Sequence, residues 1–209
     1  MSATRLHASL IKSFKNKGLS ELWLRRTTAK IEAKMHKRIE RRLDALDQAA
    51  KPEDMDIPGF DFHPLKGFDP KRCTVHVNGP WCVTFAFEGT DAVDVDFEQT
   101  TEDREKMASY PAVRNPHRPP THPGELLRED VLPATGKPKA EIARLLGISR
   151  QQLYDILDET KPVSPAMAVR LGKLFGNGAG LWSRMQNAHD TWHAEREIDV
   201  SAIPTLQRA

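Results

Sequence analysis

Residues 139–157 read KAEIARLLGISRQQLYDIL, two apolar stripes with a break between them. Ile142, Leu145 and Leu146 recur at helical spacing. Gly147 ends this first helix, because glycine takes a left-handed conformation at no steric cost. Ser149 then offers a side-chain oxygen to the orphan N–H groups of a second helix. On that helix Leu153, Ile156 and Leu157 turn inward, and Ala143 gives the two helices room to cross. The outer face carries Ser149, Arg150, Gln151, Gln152 and Tyr154. A helical hairpin that only packs is the plainer alternative. However, Arg suits the guanine edge and Gln the adenine edge of a major groove. The pattern therefore predicts a helix-turn-helix that binds operator DNA through those five residues.

The chain around this motif reads as helix on both sides. Helices are expected over 124–131, over 164–175 with Ser164-Pro165 as cap and first turn, and over 179–197. The last carries Leu181, Trp182, Met185, Ala188 and Trp192, a stripe for packing or for a dimer seam. Upstream, residues 100–122 are rich in proline and polar residues without periodicity, so a linker is expected there.

The first 99 residues are different. Strands are expected at 10–14, 60–65, 73–77, 81–87 and 92–97, from alternation and β-branched content. Asn78-Gly79 signals a hairpin, although Pro80 restricts its pairing. A short helix is expected at 19–24 and a longer amphipathic one at 28–47, with Ile31, Met35, Ile39, Leu43 and Leu46 on one face. The basic face of the longer helix holds Lys34, Lys37, Arg38, Arg41 and Arg42. The expected fold class is an α+β domain with an antiparallel sheet and N-terminal helices, followed by an all-α helix-turn-helix domain. The expected boundaries are 1–99, 100–122 and 123–209.

Composition is that of a globular protein, with 39% hydrophobic and 29% charged residues. The net charge of +2 conceals an asymmetry. Residues 1–51 hold 13 Lys and Arg against 5 Asp and Glu; residues 52–106 hold 5 against 13. A basic surface for phosphate is one reading of this division, and a solvated helix face is the other. No apolar run approaches the roughly 20 residues needed to span a bilayer, and no signal peptide is evident, so the cytoplasm is expected. Cys73 and Cys82 suit free thiols in a reducing compartment. The eight histidines show no zinc-type spacing, so neither metal nor cofactor is expected.

Several runs resemble known families. IKSFKNKGL, PEDMDIPGF, FHPLKG at 62–67, VNGPW at 77–81, VTF and DAVDVD are similar to HigB-type toxins of the RelE superfamily. HPGELLRED at 122–130, the helix-turn-helix, VSPAMAVRLGKLFG and LWSRMQNAHD resemble HigA-type antitoxins. The resemblance implies a toxin–antitoxin fusion in which Met107 marks the former start of the antitoxin.

What such toxins do is cut messenger RNA on the ribosome without a metal. The resemblance places His63 and Lys66 in that catalytic site. An arginine normally follows the sheet tryptophan, where this chain has Cys82. The family's tail ends in an Asp-Tyr-His-like run, where this chain has Gln99, Thr100 and Thr101. Loss of an acid/base group alone costs about 10²–10⁴ in rate. A thiol offers one weak donor and no positive charge, so Cys82 does not replace a guanidinium.

Two functions from different classes remain. One is a DNA-binding transcriptional autoregulator, a homodimer through its C-terminal helical domain, carrying a catalytically impaired toxin half. The other is a ribosome-dependent mRNA endonuclease inhibited in cis by its antitoxin half. In either, the basic face at Lys34, Lys37, Arg38, Arg41 and Arg42 is the expected contact to ribosome and RNA.

Overall fold

The computed structural model describes residues 10–65, 67–68, 71–99 and 109–206. Six strands form one sheet in the order β2-β3-β4-β5-β1-β6. They are β1 (Ser13–Phe14), β2 (His63–Pro64), β3 (Arg72–Asn78), β4 (Trp81–Glu88), β5 (Asp91–Gln99) and β6 (Tyr110–Pro111). Every pairing is antiparallel except β1 with β5, where Phe14 lies beside Val95 in parallel. Gly79, at φ +57°, and Pro80 turn β3 into β4, Asn78 pairs with Trp81 at the end of β3, and the register shifts between His76 and Asn78.

Period-two alternation divides the sheet. Cys73, Val75, Val77, Val83, Phe85, Val95 and Phe97 face the core. Helices α1 (Lys17–Arg25) and α2 (Ala33–Leu46) belong to that core through Leu19, Leu22, Trp23, Met35, Ile39 and Leu43. Helix α2 starts later than its apolar spacing predicts. Residues ahead of it are held in a loop by Thr28 Oγ1, which donates to Glu21 at 2.7 Å, and by extended Glu32.

The second half is helical. Helix α3 (Pro123–Leu126) runs through a π-turn (Leu127–Val131) into α4 (Leu132–Thr135). Helices α5 (Lys139–Leu146), α6 (Arg150–Leu157), α7 (Pro165–Phe175) and α8 (Ala179–Glu197) follow. Leu181, Trp182 and Met185 of α8 are buried, so the stripe expected for packing or a seam packs within the chain. Buried apolar residues of both halves form one continuous cluster.

Residues 100–108, with Met107, lie outside the described residues. The rest of the expected linker is built into the fold. Tyr110 and Pro111 pair with β1 as β6, which covers the sheet edge. Arg114, Arg118 and Thr121 converge on Asp44 of α2, with Arg118 at 2.5 and 2.7 Å and the Thr121 hydroxyl at 2.6 Å. Both guanidiniums also lie 4.7 Å over the Trp23 ring. Trp192 Nε1 of α8 donates to the Pro116 carbonyl at 3.0 Å, and Arg196 donates to the same oxygen. Ion pairs and carbonyl bonds order this stretch without an apolar period, and that is why its sequence reads as a linker.

Candidate functional site

The first candidate surface is built by α5 and α6. Gly147 takes φ +66° at the end of α5, and the Ile148 N–H returns to the Ala143 carbonyl at 3.0 Å. Ser149 Oγ accepts from the Gln152 N–H at 3.1 Å and caps α6. Leu153, Ile156 and Leu157 are buried beneath it. Ser149, Arg150, Gln151 and Gln152 are exposed along the first turn, and Tyr154 is 42% exposed one turn later. The five side chains named from the sequence are thus all exposed on the first turns of α6. Besides the Ser149 cap, the Gln151 amide donates to Asp155 at 2.7 Å, and the Lys139 ammonium lies 5.2 Å from the Tyr154 ring. Leu145, expected on the inner stripe, is 43% exposed; Ala143 takes the inner place. The helix pair is pressed against α3 at Gly124, where an added Cβ would lie 1.9 Å from the Ile156 carbonyl oxygen.

The second candidate surface is the polar face of the sheet. His63 pairs with Thr74, so His63, Thr74 and Thr84 share a row across β2, β3 and β4. The His63 ring is exposed and its Nδ1 lies 3.0 Å from the Asp61 carbonyl oxygen. Lys66 lies outside the described residues, as do Thr100 and Thr101. Cys82 is 4% exposed, and burial pushes its thiol up, keeping it protonated. Sequence reasoning missed Arg72. Its guanidinium donates to Thr84 Oγ1 at 2.8 Å and to the Asp94 carbonyl at 3.0 Å, and Thr84 in turn donates to Glu98 at 2.7 Å. Alternation with Cys73, Val75 and Val77 was the available signal, since it puts Arg72 on the polar face with Thr74.

The third is the basic face of α2, which the structure divides. Lys34 and Lys37 are exposed, and Arg38 is partly so. Arg41 and Arg42 are buried and bind Asp130 at 2.5 and 3.0 Å. Burial pushes the Arg42 guanidinium down to about 10, and the Asp130 carboxylate opposes this. Among the described residues no group of three His, Cys, Asp or Glu is placed to hold a metal, and no helix is long and apolar enough to cross a membrane.

Residues 12–98 match the RelE-like toxins of the type II toxin–antitoxin system HigB. Endoribonuclease HigB of Proteus vulgaris is 35% identical over 89 residues, 43% of this chain and 97% of the relative. The uncharacterized HTH-type transcriptional regulator YbaQ of Escherichia coli K12 is 30% identical over 81 residues, 39% of this chain and 72% of the relative. The solved Pseudomonas aeruginosa antitoxin HigA with the higBA promoter shares 32% identity, covering 43% of this chain and 100% of that one, at a TM-score of 0.38. Two lineages thus meet in one polypeptide: the chain belongs to the HigB-type toxins through its first half and to the HTH-type transcriptional regulators through its second.

Proposed function

We propose that this toxin–antitoxin fusion acts as a DNA-binding transcriptional autoregulator whose toxin half is catalytically impaired. The observation that carries it is the first turn of α6, where Ser149, Arg150, Gln151 and Gln152 are exposed above a buried Leu153, Ile156 and Leu157. A helix capped and held this way presents its N-terminal side chains to base edges. The protein binds as a homodimer through its C-terminal helical domain, to an inverted repeat with half-sites about one helical turn apart or a multiple of it. It works in the cytoplasm. Binding to the DNA upstream of its own gene at low salt tests this reading. Absence of binding there, with the protein folded, overturns it.

Impairment of the toxin half is supported by Cys82, a buried neutral thiol where the resemblance implies a cation. His63 and Lys66 remain as the acid/base group and the phosphate contact, and Lys34, Lys37 and Arg38 as the exposed part of the RNA- and ribosome-facing row, with Arg41 and Arg42 buried against Asp130. Replacing Cys82→Arg together with Thr101→His should raise mRNA cleavage on translating ribosomes by about 10² or more. Strong cleavage by the unchanged chain, abolished by Lys66→Ala, would return the protein to the second reading, an endonuclease inhibited in cis. One observation favours that reading: the second half covers part of α2.

A further inference from the structure

Asp130 lies in the π-turn of the second half, and its side chain is fully buried. Three guanidiniums of α2 converge on this one carboxylate: Arg41 Nε at 2.5 Å, Arg42 Nη1 at 3.0 Å and Arg38 Nε at 3.4 Å. Glu125 adds a second carboxylate 3.5 Å from Arg41 Nη1, although burial pushes its carboxyl up and weakens it as a counter-charge. The positive charge is in excess, and one donor is left over. Arg38 Nε is buried without a hydrogen-bond partner.

Arg42 does not depend on Asp130 for its position. Arg42 donates to the carbonyls of His76 at 2.5 Å, Arg38 at 3.1 Å and Gly59 at 3.1 Å, and its guanidinium lies 4.5 Å over Phe60. These bonds within the first half fix a cation in place before any anion arrives. Lys34, Lys37, Arg38 and Arg41 follow at spacings of three, four and seven along the same side of α2, so the row extends past the plug into solvent. An anion with more acceptor oxygens than a carboxylate would use the idle donor of Arg38.

We propose that Arg38, Arg41 and Arg42 form a phosphate-binding site for the backbone of RNA, and that Asp130 plugs it as a carboxylate in the phosphate position. RNA binding by α2 and closure of the two halves then exclude each other. This rests on the reading of the α2 row as an RNA-facing surface.

The test uses the full-length chain with Asp130→Lys, probed with a short fluorescent oligouridylate RNA and the matching oligothymidylate DNA. Amide hydrogen exchange of α2 is measured in parallel. Exchange should rise in the variant and RNA affinity should increase about tenfold, with a steeper salt dependence. The charge-swapped double variant Asp130→Lys/Arg41→Glu should reverse both. Unchanged exchange would overturn the plug. Raised exchange without tighter RNA binding would leave the plug standing and overturn the RNA-facing reading of α2. Equal tightening on the DNA strand would overturn the assignment to RNA. Should Asp130→Lys lose its cooperative melt, Asp130→Asn carries the same measurements, with a smaller gain of a few-fold.

Discussion

Arg150 is the side chain on which DNA recognition depends most directly. It is exposed at the first position of α6 and makes no ion pair among the described residues. Arg150→Ala should therefore cost about 1–3 kcal/mol in operator binding and relax preference at one base position. Equal loss on operator and random DNA would identify a phosphate contact instead. Gln151 was equally legible in sequence, yet its amide is held by Asp155 and must be released before it can meet a base. His122 shows what residue types alone do not reveal. It is 3% exposed, and its Nδ1 accepts from the Gly124 N–H at 3.0 Å, capping α3. Burial, aided by nearby His189, pushes its imidazole down to about 4. The unfolded chain then binds the extra proton between pH 6.5 and 4, so stability falls as pH falls through that window. The loss should reach about 3 kcal/mol by chemical denaturation. In His122→Asn, which keeps a capping oxygen, this part of the pH profile should flatten. An unchanged profile would show that His122 does not titrate there.

At the scale of elements, the caps were readable and the bounds of several strands were not. Ser149 and Ser164 each cap a helix through an N–H three residues on, a local bond with a fixed spacing. Residues 10–14 alternate like a strand, but only Ser13 and Phe14 pair fully, with Ile11 making an isolated bridge to Ala92. Edge length is set by what the neighbouring strand offers, and no periodicity in the strand itself records it. The segment after residue 108 is the clearest case. Its prolines suggest exposure, but the Arg118 side chain is 4% exposed and Arg114 17%. Trypsin should therefore spare Arg114 while cutting at exposed sites such as Arg26. Early cleavage at Arg114 in the native protein would contradict the clamp on Asp44.

At the scale of the whole molecule, three carboxylates tie the halves together. Asp44 takes Arg114 and Arg118, Asp130 takes Arg38, Arg41 and Arg42, and Asp54 takes Arg184 at 2.6 Å. Burial alone would raise the Asp44 carboxyl, but the two guanidiniums hold it well below the usual carboxylate range. With one apolar cluster running through both halves, thermal unfolding should be a single transition in calorimetry. Asp44→Asn should shift that whole transition downward by about 3–5 kcal/mol, because it takes the bidentate carboxylate from buried Arg118 and leaves Arg114 with only Asp47 at 3.8 Å. Two separated transitions, with only one moved, would show that the halves melt independently.

The sequence by itself determined the helix-turn-helix, the order of strands and helices, and the two families to which the halves belong. Each of these rests on short-range information: apolar period, cap spacing, turn residues and local motifs. Only the tertiary structure decided that the basic row of α2 is partly buried, that β6 closes the sheet edge and that Arg72 shares a face with His63. Those outcomes depend on pairs far apart in the chain, 89 residues for Arg41 with Asp130 and 74 for Arg118 with Asp44. A lone charged residue carries no period, so its partner is chosen by how the surrounding apolar surfaces pack.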